Sequence, residues 1–321
     1  MSTEIAIIIV NYRTAELTLD CLKSLEAEVG SSTRVVIVDN ASGDGSAERI
    51  EQSIAQRGYS WAELVRSPIN GGFASGNNLG IRSVEAAAYL LLNSDTIVQP
   101  GALAGLRAAL RARPDAGIIG PGLLNASGEH DDSVFRAPPP AAEFARAAQS
   151  GVIEWIFPQL KPSFPASLQP IEADWLGFAC VLIRKEVIEQ VGGLDEGYFM
   201  YFEDIDYCRR VRAAGWKVLC WPSAKVIHLL GGSSGVTTQS KLQKRGPRYY
   251  YEARARYFAT YYGRTGLWRA NGYWYLGRAL AFAREVVGRS KATHREREAL
   301  DIWINALTPM RESSMRRGQA A

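Results

Sequence analysis

The sequence of 321 residues has few of the side chains that build disulfide scaffolds and zinc modules. It holds four cysteines, Cys21, Cys180, Cys208 and Cys220, and no two of them form a C-x-x-C pair. Thiols so few and so scattered exclude a disulfide-dense fold and a cysteine-ligated zinc site. We expect all four to be buried thiols of a protein from a reducing compartment.

Long hydrophobic runs are missing as well. The first apolar run, residues 5–10, is too short for a signal peptide or a membrane span, and no basic segment precedes it. We therefore expect a cytoplasmic protein, neither secreted nor polytopic. No G-x-G-x-x-G follows this run and no G-x-x-x-x-G-K-S/T occurs anywhere, so dinucleotide-binding and P-loop classes lose their main support.

The net charge is only +4, but the charged residues are distributed unevenly along the chain. Residues 1–240 hold 20 Lys and Arg against 27 Asp and Glu, a balance of −7. Residues 241–321 hold 17 against 6, a balance of +11, together with 13 of the 32 aromatic side chains. This shift predicts two parts, a main domain over 1–240 and a basic, aromatic, helical tail over 241–321.

Within the main domain, short apolar runs alternate with helical patterns, as they do in βαβ units. The predicted strands cover residues 5–10, 34–38, 61–66, 89–92, 117–122 and 174–184. Because these runs are continuously apolar, they indicate a buried, mostly parallel sheet with helices on both faces, a Rossmann-like α/β fold. A proline-rich connection over 128–172 is long enough to be a binding loop or a lid.

Polar residues follow four of the predicted strands, at the edge where open α/β sheets bind ligands. A carboxylate at this edge can accept hydrogen bonds from a base or a ribose, and glycines let the backbone approach a phosphate. Each motif alone could equally be a helix cap or a glycine-rich turn. The candidates are Asn11, Tyr12, Asp39, Asn40, Asn70, Gly71, Gly72, Phe73, Asn78, Asn93, Ser94 and Asp95.

Three carboxylates follow an aromatic run near residue 200. Glu203, Asp204 and Asp206 lie within four residues, and crowded carboxylates beside apolar rings have raised pKa values, as a general base requires. The alternative is an acidic helix start that pairs with the arginines after it. His228 ends another apolar run, where it is either a packed core histidine or a metal ligand.

Together, in this order and spacing, these motifs resemble the family 2 inverting glycosyltransferases, and most of all their rhamnosyltransferase-like branch. The resemblance covers about residues 4–235 and implies a GT-A fold with a helical C-terminal extension. It also implies a nucleotide-diphosphate sugar donor, with dTDP-rhamnose favoured over a UDP-sugar. The donor-binding part would then span about 1–125 and the acceptor part about 126–240.

The resemblance also implies roles for single residues. Asp39 would bind the base, the turn from Asn70 to Phe73 would line the donor site, and Asp204 beside Glu203 would be the catalytic base. Asp95 and His228 would hold Mg²⁺ or Mn²⁺. The metal motif of the family is usually Asp-x-Asp, and Asn93 stands at its first position here.

On the acceptor side we expect Trp175, Gly177, Phe178 and Asp206 to contact a glycan or a polyprenyl-linked glycan of polysaccharide biosynthesis in the cell envelope. For Trp175, Gly177 and Phe178 the alternatives are contact with the donor sugar and a buried strand without a binding role. The cations and aromatics of residues 244–262 suit the inner face of the cytoplasmic membrane, and a helical cap or a dimer interface is the alternative. No motif supports nucleic-acid binding. A catalytically inactive sugar-nucleotide-binding homologue and a nucleotidyltransferase remain alternative functions.

Overall fold

A computed structural model describes residues 3–229, 244–288 and 295–317. Within these ranges the chain forms two compact units. The first contains residues 3–135, 165–196 and 203–229, and the second contains residues 136–164, 197–202, 244–288 and 295–317. The basic tail therefore shares a unit with part of the proline-rich connection, whereas the sequence predicts a boundary near residue 240.

The strands of the first unit are β1 Ile5–Asn11, β2 Thr33–Asp39, β3 Ala62–Arg66, β4 Ala88–Asn93, β5 Thr96–Val98, β6 Ala116–Leu124, β7 Val134–Phe135, β8 Ile171–Glu172, β9 Trp175–Leu176, β10 Cys180–Arg184 and β11 Lys217–His228. Nine of them form one sheet with the order β3-β2-β1-β4-β10-β6-β11-β5, in which β8 also pairs with β11. The strands β3, β2, β1 and β4 are mutually parallel, and β10 enters antiparallel between β4 and β6. A separate pair joins β7 to β9.

The predicted α/β architecture with a mostly parallel sheet is confirmed, and the single strand predicted over 174–184 is wrong. That segment splits into β9 and β10, because Leu176 pairs with Val134 while Cys180 pairs with Leu92 of β4. The short strand β5, paired to the end of β11, has no counterpart among the predicted strands. Three residues are too few for a periodic signal.

Helices cover the sheet of the first unit: α1 Ala15–Leu25, α2 Ser46–Arg57, α3 Gly72–Ser83, α4 Ala102–Ala112, α7 Lys185–Val191 and α8 Glu203–Ala213. Helix α3 lies unusually close to the sheet. A Cβ atom at Gly76 would come within 2.8 Å of Val10 Cγ1, and one at Gly80 would collide with Ile8. This close packing sets the N-terminus of α3 beside the ends of β1 and β2.

The four cysteines are buried and unpaired in disulfides, as predicted. Burial raises the pKa of the Cys21 thiol to about 12, which keeps it protonated and inert near neutral pH. Cys21 and Cys180 pack in the apolar core with the strands, so these thiols act as small hydrophobic side chains.

The second unit is helical, with α5 Ala142–Ala148, α6 Gly151–Ile156, a 3₁₀ turn Pro158–Leu160, α9 Arg248–Val286, α10 Glu298–Asp301 and α11 Ser314–Arg317. Helix α9 is interrupted at Gly263, whose φ of +68° lies in the left-handed region. Across the described ranges, no helix is both long enough and apolar enough to cross a bilayer.

An ionic network fills the interior of this second unit. Arg254 is fully buried and donates hydrogen bonds to Glu143 Oε2 (3.1 Å) and Asn271 Oδ1 (2.8 Å). Arg146 binds Glu143 (2.8 Å) and Glu298 (2.7 Å). Burial alone would raise the pKa of Glu143, but the two arginines outweigh it and lower that pKa to about 2. Each buried charge is thus compensated.

Four of the tail residues expected at a membrane are internal instead. Tyr251, Arg254, Tyr257 and Phe258 are all at most 1% exposed. These four side chains therefore belong to the interior of the second unit. Any interaction surface on this tail must use other side chains.

Candidate active site

The carboxyl ends of β1 and β2 carry a buried carboxylate in a hydrogen-bonded cradle. Asn11 pairs with Asp39 across the two parallel strands, and Asn11 Nδ2 donates to Asp39 Oδ1 at 2.7 Å. The Ser42 hydroxyl donates to the same oxygen at 2.6 Å, and the Ser42 backbone N–H donates to Oδ2 at 3.1 Å. Thr14 and Thr18 hold the other side of Asn11 through its Oδ1 atom. Asp39 is therefore fixed in position by its neighbours.

Next to this cradle, an asparagine joins the end of β2 to the start of α3. Asn40 Nδ2 donates to Asn70 Oδ1 (2.9 Å) and to the Gly72 carbonyl (3.1 Å), and Asn70 Oδ1 also accepts the Gly72 N–H. Gly72 has a φ of +85°, a conformation that favours glycine. Oδ1 of Asn40 is buried and has no hydrogen-bond partner among the residues that the structure describes.

Three other predicted donor residues border this network. Tyr12 and Phe73 are partly exposed, with the Arg13 guanidinium 5.2 Å from the centre of the Tyr12 ring. Ser94 is buried, with its hydroxyl 3.2 Å from that of Thr14. The predicted residues of β1, β2, β4 and the α3 turn thus meet at one edge of the sheet.

Asn78 has a structural role in this arrangement. Its Nδ2 donates to the Leu194 carbonyl (2.9 Å) and to Glu196 Oε1 (3.0 Å), while its Oδ1 accepts the Leu194 N–H (3.0 Å). Gly193 lies so close that a Cβ atom there would be 2.6 Å from Asn78 Oδ1. These contacts fix the loop before α8, and a donor contact by Asn78 stays a prediction.

Asp95 and His228 are brought together by the pairing of β5 with β11. His228 stands opposite Thr96 in this antiparallel pair, and its Nε2 lies 3.4 Å from Oδ1 of Asp95. The Asp95 side chain is 3% exposed and the His228 side chain 16%. Two ligands at about 2.1 Å from an octahedral ion lie about 3 Å apart, so this nitrogen and oxygen fit one divalent cation.

Among the residues that the structure describes, this pair is the candidate for holding a metal. In the described ranges, no group of three or more His, Cys, Asp and Glu side chains could hold an ion. The Asn93 side chain is partly exposed at the end of β4, where a second carboxylate would add charge. An ion on Asp95 and His228 would need further ligands from a bound substrate.

The acidic cluster occupies the first turn of α8. Glu203 and Asp206 are buried, and Arg210 Nε binds Asp206 Oδ2 at 2.9 Å, one helical turn away. The Asp204 side chain keeps partial exposure, and the Ile205 N–H donates to its Oδ1 at 2.8 Å. The alternative reading, that an arginine pairs with part of this cluster, therefore holds for Asp206.

Burial changes the proton affinity of two of these carboxyl groups. Desolvation raises the pKa of Asp204 to about 7, although the Ile205 N–H opposes the shift. It raises the pKa of Glu203 well above its usual range, with a further contribution from the charge of Asp204. A carboxyl that titrates near neutral pH and reaches solvent has the properties of a general base.

Of the four predicted acceptor residues, Phe178 and Asp206 are buried, and Trp175 and Gly177 are partly exposed. Phe178 is 4% exposed and meets the Tyr207 ring edge-on at 6.2 Å, so it supports α8 from below the cluster. Trp175 is partly exposed and stacks on Phe135 at 4.4 Å. The Gly177 N–H donates to the Ser133 carbonyl at 3.1 Å.

A family model described as glycosyltransferase like family 2 matches residues 3–263, most of the chain. The chain belongs to this family. The glycosyltransferase is 28% identical over 319 residues to the N-acetylglucosaminyl-diphospho-decaprenol L-rhamnosyltransferase of Mycobacterium tuberculosis, covering 94% of this chain and 98% of that protein. It is also 29% identical over 216 residues to a hexosyltransferase of low-salt glycan biosynthesis from Haloferax volcanii, covering 66% of this chain and 62% of that one.

Solved structures share the fold of the glycosyltransferase. A mannosyltransferase from Pyrobaculum calidifontis, in complex with GDP-Man and Mn²⁺, superposes with a TM-score of 0.58 at 13% identity, covering all of this chain and 84% of that one. TarS of Staphylococcus aureus, residues 1–349, gives 0.55 at 15% identity, covering 96% and 80%. The predicted GT-A fold and enzyme class are confirmed.

Four residues that shape the site were not predicted from the sequence. Ser42, Thr14 and Thr18 orient Asn11 and Asp39, and Glu196 completes the contacts of Asn78. Ser42 follows Asp39 in the motif at the end of β2, so its spacing was a usable signal. For Glu196, 118 residues from Asn78, the sequence contains no such signal.

Proposed function

We propose that this glycosyltransferase transfers rhamnose from dTDP-rhamnose to a hydroxyl of a lipid-linked glycan, with inversion at the anomeric carbon. The similarity over nearly the whole length of the mycobacterial rhamnosyltransferase supports the sugar and the class of acceptor. A UDP-sugar and another hexose are the alternative donor and sugar, since a hexosyltransferase is also among the relatives. The observation that carries the reaction is the partly exposed Asp204 with its pKa near 7.

In the proposed step, Asp204 accepts the proton of the acceptor hydroxyl as its oxygen attacks the anomeric carbon. The attack comes from the side opposite the diphosphate, which leaves as the new glycosidic bond forms and the configuration inverts. General base catalysis of this kind contributes about 10²–10⁴-fold to the rate. Glu203, kept neutral by burial, would limit the negative charge around the base.

The donor would lie at the strand ends, with the base on Asp39. The fixed geometry of this carboxylate supports the assignment, because its three hydrogen bonds leave it little freedom to turn away. Asn40, whose buried Oδ1 lacks a partner in the described part of the chain, and the Asn70–Gly72 turn would line the same pocket.

Asp95 and His228 are the residues that would hold Mg²⁺ or Mn²⁺. When bound, the ion would balance the negative charge that develops on the leaving diphosphate. Since Asn93 replaces the usual first carboxylate, one charge fewer faces the ion. We infer that tight metal binding depends on the diphosphate, which supplies the missing oxygen ligands.

The test is a transfer assay on the full chain with dTDP-rhamnose or a UDP-sugar, Mn²⁺ and a polyprenyl-diphosphate acceptor. Release of a nucleoside diphosphate together with rhamnosylated acceptor supports the proposal. Release of pyrophosphate would instead identify a nucleotidyltransferase, and donor binding with no product would identify an inactive homologue. Asp204→Asn should abolish turnover, with Asp20→Asn, an exposed carboxylate of α1, as the matched control.

We further propose that the enzyme works in the cytoplasm, in agreement with its four reduced cysteines. Size-exclusion chromatography with light scattering would test whether the full chain is a monomer or a homodimer.

A further inference from the structure

Beyond the break at Gly263, one side of α9 is exposed and apolar. From residue 272 to 287 the exposed positions carry no charged side chain. Tyr275, Ala279, Phe282 and Val286 follow one another at intervals of four, three and four residues, which aligns them along one stripe. Phe282 is 62% exposed and Val286 72%.

The opposite side of the same helix packs inward, and it carries Trp274 together with small and polar residues. Gly277 lies so close to α5 that a Cβ atom would collide with the Phe144 carbonyl. Asn271 is buried against Arg254, and Arg284 donates to the carbonyls of Ala148 and Gln149. A surface helix usually places polar side chains outside, whereas this segment is apolar on its exposed side as well.

A second exposed segment extends this surface. Trp303 Nε1 donates to the Tyr275 hydroxyl (3.2 Å), which donates to the Ala299 carbonyl (2.6 Å). Trp303 is 44% exposed and its neighbour Leu300 71%. We call this surface the apolar face; it consists of Tyr275, Leu276, Ala279, Phe282, Val286, Leu300 and Trp303.

Cationic side chains adjoin the apolar face towards the start of the helix. Arg264 and Trp268, four positions apart, are exposed in line with this stripe, and Arg269 is exposed about 100° further round the helix. The charges of the two arginines agree with the excess of +11 over residues 241–321. Arginine beside tryptophan and tyrosine is the composition of helices that lie at the headgroup level of anionic bilayers.

We propose that the apolar face docks on an anionic lipid bilayer, with the second half of α9 lying in the plane of the membrane surface. A face of this size without a single charge is unusual on a monomer. The flanking arginines favour an anionic surface over a second, equally cationic copy of this chain. This inference concerns attachment only and holds whichever sugar the enzyme transfers.

The experiment is co-sedimentation of the full chain with vesicles of phosphatidylcholine, with or without phosphatidylglycerol, in the absence of substrate. The double variant Phe282→Ser, Val286→Ser should lower the vesicle partition coefficient at least about tenfold. Leu168→Ser removes a leucine of the first unit that is even more exposed (93%) and should leave partitioning unchanged. Arg264→Gln with Arg269→Gln should reduce the advantage of phosphatidylglycerol and the sensitivity to salt.

Both serines replace exposed side chains, so an unchanged melting temperature will show that the double variant is folded. Equal partitioning of the double variant and the unmodified protein would overturn the proposal. The proposal would also be overturned if the protein bound neither kind of vesicle and instead formed a dimer that the double variant dissociates. A second copy of the chain would then cover the apolar face. A failure of the transfer assay leaves this test unaffected, because no donor is present.

Discussion

Nε2 of His228 lies 3.4 Å from Oδ1 of Asp95, although 133 positions separate the two residues in the chain. The pairing of β5 with β11 produces this contact, with His228 opposite Thr96. Neither residue has a sequence neighbour that reveals the other. The pair is the basis of the first prediction.

Removing either member of this pair should weaken metal-dependent nucleotide binding. We expect Asp95→Asn and His228→Ala each to lose most of the thermal stabilisation that a nucleoside diphosphate with Mn²⁺ produces, since stabilisation follows affinity. His130→Ala, an exposed histidine, is the control. Asn93→Asp should increase Mn²⁺ affinity by adding a charge. Full stabilisation of both Asp95→Asn and His228→Ala would exclude the pair as ligands.

The pH dependence of transfer should report the ionisation of Asp204. The base acts in its deprotonated form, and burial raises its pKa to about 7. We therefore expect kcat/KM to rise with pH through about 7 and to be lost below it, reaching a plateau in alkaline buffer. A pH–rate profile of the unmodified enzyme measures this. A midpoint near the ordinary value of aspartate, about 4, would contradict the assignment.

The same desolvation predicts that the active enzyme is less stable than its inactive variant. The folded state favours neutral Asp204, so its ionisation costs stability as the pH rises from the unfolded value towards about 7. Asp204→Asn removes this cost and should raise the melting temperature at pH 8 by about 2 °C or more, and by less at pH 4. Thermal unfolding at the two pH values is the measurement. The Asp20→Asn control should show no such difference.

Asp39 should matter for nucleotide affinity more than the nearby acid Asp44. Asp39 is held in a fixed orientation at the strand ends, whereas Asp44 accepts the Ser46 N–H (3.1 Å) at the start of α2. We expect Asp39→Asn to weaken UDP or dTDP binding at least about tenfold, which corresponds to about 1.4 kcal/mol and suits one lost charge-assisted hydrogen bond. Calorimetric titration would show it. If Asp44→Asn weakened nucleotide binding as much, the loop between β2 and α2 would account for the loss, and not the Asp39 carboxylate.

Glu143→Gln should destabilise the second unit by about 3–5 kcal/mol, because it leaves the buried Arg254 without its charge partner. Urea unfolding of the full chain would measure the loss, with exposed Glu312→Gln as control. The pKa of Glu143 is lowered to about 2, so this stabilisation is complete above the unfolded value near 4.5 and disappears as the pH falls towards 2. A variant as stable as the unmodified chain would show that the network contributes little.

The local parts of the fold could be predicted from the sequence. Continuous apolar runs predicted β1, β2 and β4, because strands buried on both faces need apolar side chains at every position. The polar residues after them predicted the hydrogen-bonded edge around Asn11 and Asp39, since parallel strands end at the same side of a sheet. Pairing across long separations was not accessible in this way, as the insertion of β10 between β4 and β6 shows.

The tail shows where a sequence argument stops. The sequence determined that residues 241–321 are basic and aromatic, and it predicted the helical character of residues 248–286, because composition and periodicity are local properties. Only the tertiary structure decided which side chains are buried. Arg254 can be buried because Glu143, 111 residues earlier in the chain, neutralises its charge. Phe282 is exposed because the opposite side of α9 approaches α5 closely at Gly277, where a side chain would not fit. Burial depends on partners distant in the chain, and no local pattern encodes them.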